Sequence, residues 1–199
     1  MRRFINAPNA LTIAGLVSSW AAVLAAANAM RTWAFGLLAF AGICDLLDGP
    51  AARRRRSNDE ERRFGGHLDS LVDACAFGFA PAIVLYLCGH TRPPEVAVCG
   101  ALVIAAVWRL AYFETAGLRS EASGLYYTGL PVTFSSLCLP FAALLFRRWL
   151  TVDRWALDLI AAALAFLMVS PISIPKPLRL KRVLLVCGIL LATAYAAGS

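Results

Sequence analysis

Four aspartates, Asp45, Asp48, Asp69 and Asp73, sit at the ends of two segments that are otherwise apolar enough to cross a bilayer. A carboxylate at membrane depth is costly unless it faces protein, water or a cation, so acids placed there mark a functional site. Their spacing is ordered. At 100° per residue, Asp45, Asp48, Gly49 and Ala52 fall within roughly 100° of one helical face. Gly65, Asp69 and Asp73 recur at i, i+4 and i+8 and make a second stripe. Bringing the stripes together gathers four carboxylates around one small volume. Such charges repel unless hard cations lie among them, and carboxylate oxygens are what Mg²⁺ or Mn²⁺ bind. The glycines and the alanine leave room for a flat or bulky ligand to approach the backbone. A metal–carboxylate cage beside such a slot is suited to two-metal phosphoryl chemistry.

In order, Asp45, Asp48, Gly49, Ala52, Arg53, Gly65, Asp69 and Asp73 resemble the motif of the CDP-alcohol phosphotransferases, D-x2-D-G-x2-A-R-x8-G-x3-D-x3-D. Eleven residues separate Arg53 from Gly65 here, three more than in that pattern. The extra length falls in the charged run RRRRSNDEERRF, expected to form a polar turn. Pro50, inside the motif, removes one backbone donor and is placed to kink the helix beyond the carboxylates. The stretch FGGHLDSLVDACAFGFAPA (64–82) resembles the third helix of bacterial and archaeal phosphatidylserine synthases, with Ala76 where those enzymes carry Ser. WRLAYFE (108–114), GLPVT (129–133) and FLMVS (166–170) resemble the same group, with Glu114 in place of Asn.

The resemblance implies a reaction in which an alcohol hydroxyl displaces CMP from CDP-diacylglycerol. It implies two divalent cations, Mg²⁺ or Mn²⁺, with Asp45, Asp48, Asp69 and Asp73 as ligands. Asp73 is the expected base, a role that suits a carboxylate set among like charges. Gly49, Ala52 and Gly65 are expected to let the nucleotide pack close, with Arg53 on phosphate. L-Serine is the favoured acceptor. Arg109, an arginine inside an apolar span, is then a partner for the serine carboxylate; the alternative is a structural partner for Glu114 or for a metal-site aspartate. Glycerol 3-phosphate or inositol phosphate would want further cations, which Arg119 and the 176–182 cluster offer. A homodimer is implied by resemblance only.

Hydrophobic residues make up 60% of the 199 and mean hydropathy is +0.68, too apolar for a soluble domain of this size. The excess lies in runs of about 16 to 23 residues, the length that a hydrocarbon core of about 30 Å requires. The expected architecture is all-α, a polytopic transmembrane bundle forming a single domain. Six core spans are placed at 8–30, 33–53, 66–88, 96–115, 130–147 and 155–170, with a seventh at 183–197. A β-barrel would alternate, and these runs do not. Residues 1–8 read as an interfacial segment with Phe4 and Ile5 toward lipid, and Asn9 as a helix cap. Tyr126 and Tyr127 read as part of an interfacial aromatic belt.

With the N-terminus inside, thirteen of the nineteen basic residues fall on interior segments and five on outer turns. That asymmetry places the aspartates at the cytoplasmic face of the cell membrane. The net charge of +7 follows from the same clustering, and without a soluble domain it does not indicate nucleic acid. The six cysteines are scattered singly and read as small core residues. His67, two residues before Asp69, is either a substrate contact or a wet interfacial side chain. An ion-coupled transporter would use intramembrane acids too, but such sites usually lie near the midplane between internal repeats. Here all four acids stand at one end, and no repeat accompanies them.

Overall fold

The computed structural model describes residues 4–54, 58–117, 119–121, 124–146, 152–175 and 178–197. Seven helical rods carry the described fold: α1 (Ala7–Ala27), α2 (Arg31–Arg54), α3 (Asp59–Leu87), α4 (Pro93–Ala116), α5 (Ser135–Phe146), α6 (Val152–Val169) and α7 (Leu178–Ala197). Among the described residues, α1, α2 through Ala52, α3 and α4 are long and apolar enough to cross a membrane, while the apolar parts of α5 to α7 are shorter. The chain is a multi-pass membrane protein. A strand ribbon that the all-α expectation did not contain lies alongside: β1 (Arg119–Glu121), β2 (Gly124–Thr128) and β3 (Ser173–Pro175), antiparallel in that order. Tyr126 pairs with Pro175 and Thr128 with Ser173. The aromatic and β-branched residues of GLYYT favour the extended backbone, and Pro175 is tolerated because it ends an edge strand.

Local chemistry sets the helix ends. Asn6 caps α1, its side chain accepting from Asn9 N at 3.0 Å. Asn9 is therefore not the cap, because the cap position falls three residues earlier, ahead of Pro8 in the first turn. Asn58 caps α3 by accepting from Glu61 N at 2.8 Å, and Asp59, Glu60 and Glu61 sit where the helix dipole favours acids. The expected polar turn between the motif halves is thus partly helical from Asp59 onward, seven residues before the predicted span. Glu95 Oε2 accepts from Arg92 N at 2.9 Å and starts α4. Phe4 stacks on Phe64 with centroids 4.2 Å apart, while Ile5 is exposed.

Lipid supplies little apolar driving force between helices, so close packing of small residues does much of the assembly. Ala22 and Ala26 of α1 and Ala34, Ala39 and Ala41 of α2 are buried. A Cβ on Gly15 would meet Cys44 at 3.4 Å, and one on Gly42 would lie 2.5 Å from Ser136 Oγ on α5. A Cβ on Gly78 would sit 3.0 Å from that of Ala106, which fixes how near α3 and α4 approach.

α3 contains a π turn, Ala74–Phe79, starting one residue after Asp73. Such turns are uncommon and often accompany functional sites. Pro81 follows it and lacks an N–H, which deprives the carbonyl one turn back, Phe77 O, of its helical donor. Ser135 Oγ, fully buried on α5, donates to that oxygen at 2.6 Å. At the opposite end of the bundle from the aspartates, buried His90 Nδ1 lies 2.6 Å from Asp158 Oδ1, joining the α3–α4 turn to α6. Ser135→Ala should leave Phe77 O unsatisfied in an apolar interior, at a cost of about 1–3 kcal/mol. A lowered melting temperature in detergent checks this; an unchanged one removes the role assigned to the serine.

Candidate active site

α2 and α3 bring Asp45, Asp48 and Asp69 together. One carboxylate oxygen from each lies within 4.8 Å of the others. Asp48 is buried, whereas Asp45 and Asp69 are half-buried, so the cluster opens to one side. Three acids this close demand positive compensation, and an all-oxygen donor set matches hard divalent cations. The residues present therefore fit the expected Mg²⁺ or Mn²⁺. Asp73 stands outside that trio, half-buried, at the threshold of the π turn. It remains within electrostatic reach of Asp45, Asp69 and Asp48, and of Arg109.

Two hydroxyls hold the cage from outside the motif. Thr12 Oγ1 on α1 donates to Asp48 Oδ2 at 3.0 Å, with Pro8 O as a second acceptor at 3.2 Å. Thr133 Oγ1, in the short turn Val132–Phe134 before α5, donates to Asp45 Oδ2 at 2.9 Å. Both threonines are buried. Each donor removes one lone pair from the set available to a cation and fixes the carboxylate's rotation. Neither threonine was among the expected site residues. The signal that pointed near one of them was the stretch GLPVT, which holds Thr133, but nothing in one sequence joins residues 36 or 88 positions apart.

The slot residues divide. Gly49 and Gly65 are half-buried and Ala52 is exposed at the mouth. A Cβ on Gly65 would come within 3.3 Å of Asn9 Oδ1, so α1 and α3 meet tightly there, with buried Asn9 held by its amide donating to Phe4 O at 2.8 Å. The side chains of Arg53, Arg119 and the 176–182 cluster, and those of Tyr126 and Tyr127, lie outside the described residues. Arg109 is buried, with its guanidinium carbon 5.3 Å from the Phe113 ring centroid. Glu114 turns to α3 instead: it accepts from Ser70 Oγ and lies 3.9 Å from exposed His67 Nδ1. Arg109 lies within electrostatic reach of Asp73.

A membrane-embedded acid cage on this motif can be compared with known proteins. The model of the CDP-alcohol phosphatidyltransferase family matches residues 5–194, and the chain belongs to that family. It is 29% identical over 185 residues to the CDP-diacylglycerol–serine O-phosphatidyltransferase of Mycobacterium tuberculosis, covering 88% of this chain and 64% of that protein. It is 29% identical over 178 residues to the archaetidylserine synthase of Methanothermobacter thermautotrophicus, covering 87% and 71%. It is 31% identical over 165 residues to the phosphatidylcholine synthase of Bradyrhizobium diazoefficiens, covering 81% and 58%. The chain thus spans just under two thirds of the length of the mycobacterial relative.

The threonine contacts generate a test. Thr133→Val and Thr12→Val keep shape but withdraw the hydroxyl, and loss of such an outer contact typically costs 10–100-fold in metal affinity or activity. Titrating Mg²⁺ or Mn²⁺ against CMP release should show half-saturation displaced upward by about that factor. Wild-type metal dependence in both variants would show that the threonines do not orient the cage.

Proposed function

We propose that this protein transfers a phosphatidyl group from CDP-diacylglycerol to L-serine, giving phosphatidylserine and CMP. The observation that carries the reading is the trio Asp45, Asp48 and Asp69, gathered from two adjacent spans at one end of an apolar bundle. Bound divalent cations would neutralise the diphosphate and stabilise the departing phosphate. Asp45, Asp48 and Asp69 would hold them, with Asp73 near enough to contribute.

Asp73 takes the proton of the acceptor hydroxyl. The hydroxyl oxygen forms a bond to the phosphorus that carries diacylglycerol, and the anhydride bond from that phosphorus toward cytidine breaks. CMP leaves with the bridging oxygen. Asp73 suits the base role because it stands beside the cage without belonging to the tight trio. Gly49, Ala52 and Gly65 leave the slot for the nucleotide, and Arg53 meets its phosphates. The clustering of basic residues between spans supports a site at the cytoplasmic face of the cell membrane, where such residues would also attract an anionic nucleotide-lipid. The protein works as a homodimer on this reading.

Serine is favoured by the names of the mycobacterial and archaeal relatives, a serine O-phosphatidyltransferase and an archaetidylserine synthase, and by the stretches around Asp69, Arg109 and Gly129 that resemble the serine enzymes. The phosphatidylcholine synthase relative keeps a second reading in view, the same transfer to a different alcohol, including glycerol 3-phosphate or inositol phosphate. Purified protein with CDP-diacylglycerol, Mg²⁺ or Mn²⁺ and each alcohol in turn discriminates among them. CMP release with serine is the expected result; release with another alcohol alone reassigns the acceptor, and release with none removes the transferase reading. Asp69→Asn should retain the fold yet lower turnover by about 10³-fold, since a lost cation contact is worth several kcal/mol. An active, folded Asp69→Asn enzyme would contradict the cage's role.

A further inference from the structure

Glu114 stands where two effects oppose a negative charge. It occupies the last turn of α4, which closes at Ala116 with Gly117 beyond it at φ 63°, and the carbonyl end of a helix disfavours acids. It also faces α3, the helix that already carries Asp69 and Asp73. What the carboxylate does there is specific. Its Oε2 lies 3.9 Å from Nδ1 of the exposed His67, too far for a hydrogen bond. Its Oε1 accepts from Ser70 Oγ, and that contact ties α4 to α3. A carboxylate only accepts, so the serine hydroxyl must donate, and a charged acceptor makes the bond about twice as strong as a neutral one. Where the serine-synthase pattern has Asn, this chain has a side chain one methylene longer and charged.

Ser70 lies between the two acids of α3 in sequence. Around the helix axis it is about 100° from Asp69 and about 60° from Asp73, so holding Ser70 fixes the rotation of both. With side chains reaching about 5–6 Å from the axis, a twist of about 20° moves a carboxylate by about 2 Å. A misplacement of about 1 Å is enough to slow a reaction about 100-fold. Gly78 meets Ala106 of α4 inside the π turn, about 12 Å further along α3 than Ser70. The stretch bearing the acids therefore has its own tie to α4. The bond is open to water and the Glu114 side chain is 42% exposed, so it adds only modestly to overall stability. Its value is directional.

We propose that Glu114 is a positioning residue: through Ser70 it fixes the rotation of α3 and so aims Asp69 and Asp73 at the cage. Neither Glu114 nor Ser70 touches the reacting atoms in this role. The effect on turnover rests on the transferase reading above, whereas the effect on cation binding stands without it.

Four variants of the full-length protein in nanodiscs test the brace: Ser70→Ala, Glu114→Ala, the two combined, and Glu114→Gln, which keeps the length and an acceptor oxygen. Mn²⁺ binding is followed by electron paramagnetic resonance, and CMP release by kinetics with CDP-diacylglycerol and L-serine. Ser70→Ala and Glu114→Ala should each weaken Mn²⁺ binding about 10-fold and lower kcat about 10- to 100-fold, with both KM values little changed. The combined variant should be no worse than either single one, because all three lose the same interaction. Glu114→Gln should recover most of the binding and turnover. Melting temperatures should stay within about 4 °C of wild type. Should Glu114→Ala not fold, Ser70→Ala, which removes one hydroxyl, carries the test.

Additive losses in the combined variant, or wild-type Mn²⁺ affinity in folded Ser70→Ala, overturn the brace. Glu114→Gln as damaging as Glu114→Ala also overturns it, since charge rather than the bond would then matter. A melting temperature that falls in step with activity makes the contact merely structural and overturns the positioning role. The expected Mn²⁺ results in a protein that turns over no alcohol uphold the brace and remove the transferase reading.

Discussion

The structure depends on keeping like charges together where water is scarce. Three carboxylates within 4.8 Å of one another resist assembly, and in surroundings less polarisable than water that resistance grows. The rest of the bundle meets this constraint from several sides. Asp45 and Asp48 are held near one another by their three-residue spacing on α2, and α1 packs closely against that helix through glycine and alanine. Thr12 and Thr133 satisfy particular oxygens, leaving the others directed inward. Arg109 counterbalances Asp73 from α4. Cations would complete the arrangement in the proposed chemistry, and the same repulsion that disfavours the bare cluster would favour their binding.

The helix that supplies Asp69 and Asp73 carries two departures from regularity immediately after them, the π turn and Pro81. Each would weaken an isolated rod. Here the debt is met by α5, whose Ser135 satisfies Phe77 O. The neighbouring turn, Val132–Phe134, supplies Thr133 to Asp45. One short segment therefore supports both the backbone of α3 and a carboxylate of α2. This explains why the polar residues Thr133 and Ser135 are buried within a membrane bundle.

Much of the site was legible in the sequence because its central residues are local. Asp45 and Asp48, and Asp69 and Asp73, are each within a helical turn or so of one another, and helical periodicity alone puts them on a stripe. Arg109 was legible because an arginine in an apolar run is expensive. What escaped depended on contacts across the fold. Thr12 and Thr133 are ordinary residues until α1 and the α5 entrance are set beside α2. The ribbon escaped because Tyr126 and Tyr127 suit an aromatic belt as well as a strand, and their partner segment lies beyond two further helices. The early start of α3 escaped because the stretch from Asp59 to Phe64 is polar, and hydropathy registers where lipid begins rather than where a helix does. Asn58 and the acids after it carried that information.

The π turn has one more effect. Accommodating an extra residue within a single helical turn offsets the two halves of α3 in phase by about 100°. The half ending at Asp73 is oriented by the carboxylates, and the half beginning at Ala80 by its neighbours in the bundle. The offset lets one continuous rod present Asp69 and Asp73 to the cage at one end while its other half keeps the facing that its own packing requires.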